Sequence, residues 1–175
     1  MKKIILPLFL FFSFLTFTFG QKESNSIKIV DELLEAMEQA CNDKDMKKVA
    51  EFYGDDSKLL APGRYKVEGR EAVNQYWLKL KPISWELTVA KASENENDLY
   101  ETDYWKNLKN KPPHWKEHDI VIGKEEDVVY QLGHSKLTYI NRSGKEHTSD
   151  VDFVLVWKKN KEGEYKVFID TYASN

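Results

Sequence analysis

The pattern His114-x-x-Glu117-His118 combines residue types that can perform metal chemistry. In zinc proteases of the inverted type, both histidines lie on one helical face and hold the metal while the glutamate acts as a base. Here two prolines come directly before the pattern, and the strand-like run Asp119-Ile120-Val121-Ile122-Gly123 follows it. We therefore expect a strand at residues 118–123. A strand would hold the two histidines too far apart to share one ion, so we predict no metal site.

Two aspartates near the C-terminus could perform acid–base chemistry if they face one another. The turn predicted at residues 160–163 pairs the last two strands so that Asp152 lies opposite Asp170 on the same sheet face. Adjacent buried carboxylates raise the pKa of one of the pair and can exchange a proton or hold a cation. Alternatively, both face solvent, cap loops or pair with basic side chains. His134, on the neighbouring strand, is the third catalytic candidate, and the turn at 141–144 leaves its face undetermined.

Aromatic residues make up 13% of the chain and supply the candidates for a ligand pocket. Those at helical or strand spacing, such as Trp77 and Trp85, also fit an ordinary core. Those in the irregular stretch after residue 94 fit a pocket mouth or an oligomer face, because amphipathic rings tolerate both water and apolar contact. The pocket candidates are Tyr53, Trp77, Trp85, Tyr104, Trp105 and Trp115.

The elements that must position these residues change character along the chain. Ile27, Val30, Leu34, Met37 and Cys41 follow the helical repeat, with Asn25 or Ser26 as the N-cap. Two more helical patterns follow, around Met46–Tyr53 and from about Gly69 to Pro82. After Pro82 the apolar period becomes two. Strands are predicted at 57–60, 65–68, 85–90, 118–123, 127–140, 147–159 and 164–172.

The first twenty residues predict export. A basic start, Met1-Lys2-Lys3, precedes an apolar run that ends at Thr18-Phe19-Gly20, with small residues at the positions that signal peptidases read. We predict a signal peptide at residues 1–20, cleavage before Gln21, and a periplasmic or extracellular protein with no membrane attachment after cleavage. An uncleaved anchor is the alternative.

Composition limits the remaining function classes. A chain of 175 residues has room for one hydrophobic core, so residues 21–175 are expected to form a single domain. The formal charge of −3 and the lack of a basic block argue against a nucleic-acid partner. One cysteine cannot form an intramolecular disulfide. No nucleotide-binding fingerprint occurs, and no cofactor is expected.

Several segments, in their order along the chain, resemble the SnoaL-like domains of the nuclear-transport-factor-2-like superfamily, which includes the ketosteroid isomerase-like proteins. They are residues 49–62 (VAEFYGDDSKLLAP), 67–77 (VEGREAVNQYW), 127–133 (DVVYQLG), 154–159 (VLVWKK) and 163–172 (GEYKVFIDTY). The resemblance implies an α+β cone in which three N-terminal helices pack on a curved, mostly antiparallel sheet around a pocket. It also implies a homodimer.

Fold alone does not specify which function this pocket has. Ketosteroid isomerisation needs a carboxylate base and a tyrosine donor. At the matching positions this sequence has Ala61 and Met37, so that reaction is not expected. Two hypotheses remain. The first is a non-catalytic module that binds a small apolar molecule or a protein partner. The second is a SnoaL-like or polyketide-cyclase-like enzyme that transfers protons through Asp152, Asp170 or His134.

Overall fold

The computed structural model describes residues 24–62, 65–123 and 127–174 of the chain. Within them, the helices are α1 (Asn25–Asn42), α2 (Met46–Glu51), α3 (Arg70–Leu78), α4 (Asn97–Tyr100) and α5 (Asp103–Asn107), with a 3-10 helix at Trp115–His118. The strands are β1 (Tyr53–Ala61), β2 (Tyr65–Glu68), β3 (Pro82–Ser93), β4 (Val128–Ile140), β5 (Glu146–Lys159) and β6 (Tyr165–Ser174). The signal peptide predicted at residues 1–20 lies outside the described residues.

The α+β class is confirmed, with a different set of helices from the one expected. The three predicted helices correspond to α1, α2 and α3, and β1 and β2 separate the second from the third, where two short strands were expected. Two short helices, α4 and α5, follow β3 in the stretch where the sequence showed no regular period. No helix in the described part of the chain is both long and apolar enough to cross a bilayer.

The first helix follows from its apolar stripe and its cap. Val30, Leu34, Met37 and Cys41 are buried against the sheet, as the spacing predicted. The N-cap is Ser24, whose side chain accepts a hydrogen bond of 3.3 Å from the backbone N–H of Ile27. The predicted caps, Asn25 and Ser26, are instead the first residues of the helix.

The six strands form one mixed sheet in the order β2-β1-β6-β5-β4-β3. Four of its five pairings are antiparallel, and β1 pairs in parallel with β6. The long strands β4 and β5 pair without interruption from Val128 opposite Lys158 to Ile140 opposite Glu146. This pairing fixes which side chains of the central strands share a face.

Each face of the sheet has its own apolar core. The face that we call inner packs against α1, α2 and α3, and the core between them includes Trp77 of α3 with Phe153 and Trp157 of β5. The opposite, outer face is covered by the segment 94–123, whose Leu99, Trp115 and Ile120 join buried strand residues. The predicted strand at 118–123 is wrong. Ile120 and Ile122 cover the outer core, Val121 is exposed, and the segment pairs with no strand of the described residues.

Side chains at the end of α1 cover the edge of β3. Asn42 accepts a hydrogen bond of 2.7 Å from the backbone N–H of Trp85 and donates one of 2.9 Å to its carbonyl. Glu38 accepts another, of 2.9 Å, from the backbone N–H of Leu87. Beyond the helix, Lys44 donates to the carbonyl of Ile83 at 2.5 Å. These bonds fix β3, and with it Trp85, against the helical layer.

Candidate functional site

A cavity of about 150 Å³ lies between the inner face of the sheet and the helical layer. Its walls come from α3, the residue Leu80 that follows it, and every strand except β2. Leucine, valine and aromatic side chains form most of the lining. We call this space the inner cavity. A site that draws its walls from so many elements depends on the whole fold.

Aromatic rings surround much of the inner cavity. They belong to Tyr76, Trp77, Trp85, Tyr139, Phe153 and Tyr172. The rings of Trp77 and Trp85 lie 5.1 Å apart at a tilt of 42°. Trp85 is held in place because its indole N–H donates a hydrogen bond of 2.8 Å to the Ser135 hydroxyl. The predicted pocket residues Trp77 and Trp85 are therefore both at the cavity.

The carboxyl group of Asp170 is the one acidic group among the described residues that line this cavity. Asp170 is 9% exposed, and it accepts a hydrogen bond of 2.6 Å from the hydroxyl of Tyr53. Burial raises the pKa of Asp170 to about 6, while the hydrogen bond from Tyr53 opposes part of that increase. A carboxyl group with this pKa can change its protonation state near neutral pH.

Tyrosine and serine hydroxyls complete the polar part of the lining. Burial raises the pKa of Tyr76 well above its ordinary value, and a hydrogen bond with Tyr172 adds to the increase. Tyr53 behaves similarly, because burial and the adjacent Asp170 carboxylate both raise its pKa. These tyrosines are therefore neutral at physiological pH. They offer hydrogen bonds to a ligand or to Asp170 but contribute no charge.

Asp152 and Asp170 do not face one another, and the predicted pairing is wrong. Asp170 lies opposite Leu155, and Asp152 lies opposite Ala173. The hairpin turn brings Lys159 opposite Tyr165, and the extra residue Phe168 of β6, opposite the step from Val156 to Trp157, shifts the pairing again. The register thus differs by three residues from the predicted one. Since side chains alternate along a strand, an odd shift puts the two carboxyl groups on opposite faces.

Asp152 belongs instead to a polar cluster on the outer face. The Tyr104 hydroxyl donates to Asp152 Oδ1, and His134 Nδ1 lies 3.2 Å from the same oxygen. The other ring nitrogen of His134 lies 3.4 Å from the more exposed Asp150. Burial and the Asp152 carboxylate both raise the pKa of Tyr104. The cluster joins α5 to β4 and β5, and it shares no residue with the inner cavity.

The remaining pocket candidates also lie on the outer side of the sheet. Trp115 is 2% exposed and stacks between His114, at 4.3 Å, and Tyr130, at 5.9 Å. Trp105 packs against Tyr100 at 4.8 Å between ring centroids. Together with Tyr104, these residues cover the outer core rather than the inner cavity. Of the six candidates, Trp77 and Trp85 line the cavity, and Tyr53 reaches it through Asp170.

The segment His114–His118 is helical and not the strand that we expected. Residues Trp115–His118 form a 3-10 helix, with His114 as its N-cap. His114 Nδ1 accepts from the backbone N–H of Lys116, and Nε2 lies 2.9 Å from Glu96. Both ring nitrogens of His114 therefore have partners in the protein. No group of three or more His, Cys, Asp or Glu side chains within the described residues is arranged to hold a metal ion.

Sequence reasoning missed several of the lining residues. Tyr139 and Tyr172 were not among the pocket candidates, although both line the inner cavity. A signal was present, because Tyr139 alternates with Leu137 and Ser135, and Tyr172 lies two residues from Asp170. Two-residue spacing on a strand places side chains on one face. Once a single cavity residue on each strand is known, the others follow.

Similarity to known proteins is found at the level of structure. No protein-family model matches the chain, and no curated protein matches its sequence. A ketosteroid isomerase-like protein from Erwinia carotovora atroseptica superposes with a TM-score of 0.59 at 13% identity, over 86% of this chain and 97% of that one. A conserved protein from Planctomyces limnophilus superposes with a TM-score of 0.53 at 15% identity, over 85% and 96% of the two chains.

A third solved structure has a similar fold. A protein from Novosphingobium aromaticivorans, provisionally described as an aromatic ring hydroxylase, superposes with a TM-score of 0.56 at 11% identity, over 85% of this chain and 88% of that one. Identities this low establish the fold alone. The chain has a ketosteroid isomerase-like, nuclear-transport-factor-2-like fold, as the motifs indicated.

Proposed function

We propose that this protein binds a small, largely apolar molecule in the inner cavity. The observation that carries the proposal is the composition of the cavity wall, where aromatic and aliphatic side chains surround one carboxyl group and a few hydroxyls. Small-molecule sites have this composition, because apolar walls supply affinity and a few polar groups fix orientation. A core built only for stability would fill such a space with side chains.

The volume of the cavity limits the size of the ligand. Engineered apolar cavities of about 150 Å³ bind benzene, so the inner cavity, at a similar volume, suits a ligand of about that size. A larger molecule would need movement of the surrounding side chains. The protein would meet this ligand outside the cytoplasm if residues 1–20 act as the export signal that their pattern predicts.

Proton transfer is the second candidate function, and Asp170 is the residue that favours it. A buried carboxyl group with a pKa raised to about 6 is suited to act as a general acid or base near neutral pH. Asp152 and His134 are on the other side of the sheet. An enzyme of this kind would therefore rely on Asp170 and the tyrosines beside it. Asp152 and His134 would take no part in the reaction.

Toluene binding followed by titration calorimetry tests the proposed function. Ser149, on the inner face of β5, lines the cavity, so Ser149→Phe should fill part of it and weaken binding at least about tenfold. Thr148→Phe is the matched control. This variant adds the same ring to the preceding residue, whose side chain points away from the cavity. It should change the affinity for toluene less than about twofold. No binding by the wild type, or equal effects of both variants, would refute the proposal.

A further inference from the structure

We propose that the inner cavity selects a small organic ammonium ion, with Asp170 as its counter-charge and the surrounding aromatic rings as its cage. The inference rests on the proposed function and narrows it from apolar molecules in general to cationic ones. It requires an uncompensated negative charge inside the cavity, rings around that charge, and a volume that suits the ligand.

The negative charge of Asp170 has no positive partner in the described part of the chain. Its one hydrogen bond there comes from the neutral hydroxyl of Tyr53, and no Lys, Arg or His side chain contributes to its electrostatic environment. A buried charge without a partner is unfavourable, which is why such groups are usually paired in folded proteins. A cationic ligand would provide the partner that the protein does not.

The rings around Asp170 are suited to an organic cation rather than to a hydrated metal ion. Aromatic faces attract ammonium groups through their quadrupoles, and cages of several rings are the usual way in which proteins recognise quaternary ammonium ions. Six rings line the inner cavity, supplied by Tyr76, Trp77, Trp85, Tyr139, Phe153 and Tyr172. The aliphatic part of the wall matches the methyl or methylene groups that such an ion carries.

The protonation state of Asp170 distinguishes a cationic ligand from a neutral one. A protonated carboxyl group would donate to a ligand carbonyl, whereas a carboxylate attracts a cation. With a pKa of about 6, roughly nine-tenths of the Asp170 groups are ionised at neutral pH. The titratable groups that face Asp170 from other elements are Tyr53 on β1 and Tyr76 on α3, and both are neutral because burial raises their pKa values. Tyr172, on the same strand as Asp170, contributes a further phenol hydroxyl to the cavity wall.

Choline and its uncharged carbon analogue, in which a quaternary carbon replaces the nitrogen, form a matched pair of probes. Both have the same shape and hydroxyl, so their difference in affinity isolates the charge. Titration calorimetry of the wild type at neutral pH should show choline binding at least about tenfold more tightly than the analogue. Equal affinities, or tighter binding of the analogue, would overturn the inference.

Replacement of the carboxyl group gives the second measurement. Asp170→Asn keeps the shape of the side chain and removes its charge, so choline should lose at least about tenfold in affinity while the analogue changes less than about twofold. Retained binding of the analogue also shows that the variant is folded. If the variant does not fold, the comparison of the two probes on the wild type still decides the question.

The dependence of choline binding on pH gives a third measurement. Choline carries a fixed charge, so its affinity should rise as Asp170 ionises between about pH 5 and pH 7. His147, whose ring packs edge-on against Tyr139 at 5.4 Å, is another titratable group near the cavity wall. Asp170→Asn retains this histidine, and should abolish the increase. An unchanged increase in the variant would assign it to another group and overturn the inference.

Failure of this inference differs from failure of the proposed function. If the analogue or toluene binds, Ser149→Phe blocks that binding and choline has no advantage, the cavity binds neutral molecules and only the ammonium preference is wrong. If no probe binds, both are wrong. If choline binds but Ser149→Phe leaves its affinity unchanged, the ion binds elsewhere and the inference is overturned.

Discussion

The hydroxyl of Tyr53, the first residue of β1, donates a 2.6 Å hydrogen bond to Asp170 near the end of β6. The two residues are 117 positions apart in the sequence, yet parallel pairing of their strands places Asp170 beside Leu59 of β1. This bond therefore links the start of the sheet to its last strand at the wall of the inner cavity. The pKa of the Asp170 carboxyl group depends on this hydrogen bond.

Removal of this hydrogen bond should both destabilise the fold and change the titration of Asp170. Tyr53→Phe should lower the free energy of unfolding by about 1.5–3 kcal/mol at neutral pH, the range for a hydrogen bond to a charged group. It should also raise the pKa of Asp170 above its value of about 6, because the bond favours the carboxylate. NMR titration of the carboxyl group measures the pKa of Asp170, and urea unfolding measures the stability. Tyr165→Phe, at the start of β6, is the control, and an unchanged pKa in Tyr53→Phe would contradict the prediction.

Stability should depend on pH in a direction set by Asp170. Its pKa is about 6 in the folded protein, against an ordinary value of 3.8, so the folded state binds more protons between these values. Stability is therefore lost as the pH rises through that window, by an amount on the order of 3 kcal/mol. Asp170→Asn removes this contribution. Urea midpoints at several pH values should show that the stability of the variant relative to the wild type increases from about pH 4 to pH 7. If the two stability curves run parallel over this range, Asp170 is not the group responsible.

The two aspartates first considered as a pair should be energetically independent. Asp152 and Asp170 lie on opposite faces of the sheet and share no hydrogen-bond partner in the described residues. The effects of Asp152→Asn and Asp170→Asn on the free energy of unfolding should add to within about 0.5 kcal/mol. Urea unfolding of both single variants and the double variant measures the coupling. A coupling of about 1 kcal/mol or more would mean that the two carboxyl groups interact.

Gly133 should tolerate no side chain, because β3 and Phe153 approach its backbone closely. A Cβ atom at this position would lie 2.2 Å from the carbonyl oxygen of Thr88 and 2.7 Å from Phe153 Cζ. We expect Gly133→Ala to cost at least about 2 kcal/mol, since the backbone of β3 must move away. Gly144→Ala is the control. Its turn has open space, so the cost is only that of the left-handed backbone at φ +76°, about 1–2 kcal/mol, and it should be smaller than that of Gly133→Ala. Thermal unfolding of both variants makes the comparison.

Export should remove the first twenty residues. Gly20 and Thr18 offer small side chains at the two positions that signal peptidases read, after an apolar run of typical length. The intact mass of protein recovered from the exported fraction of a bacterial host should correspond to a chain that begins at Gln21. A full-length mass in the membrane fraction would instead support an uncleaved anchor. A Gly20→Leu variant should accumulate unprocessed.

The elements with a strong apolar pattern could be predicted from the sequence alone. The helical stripe of α1 and the apolar runs of β4, β5 and β6 gave bounds within a few residues of those observed. Long segments of this kind are determined by their own composition, because their apolar side chains must be buried wherever the segment packs. The overall α+β class followed from their order. Trp77 and Trp85, which were pocket candidates because they are aromatic, line the inner cavity.

The arrangement of the candidate site could not be predicted in the same way. The relative faces of Asp152 and Asp170 depend on the bulge at Phe168, which the sequence does not mark with a glycine or a proline. The segment 118–123 has the β-branched residues of a strand, but its position over the outer core depends on contacts with distant strands. Register and docking are tertiary properties, and a local pattern does not determine them.

The bonds from α1 and Lys44 to the edge of β3 also affect how molecules of this protein meet one another. A long edge strand presents backbone donors and acceptors that can recruit a strand from another copy. Along β3, the backbone groups at Ile83, Trp85 and Leu87 are already bonded to side chains of the same chain. Half of this edge is thus closed to intermolecular strand pairing, which favours solubility of the folded protein at high concentration.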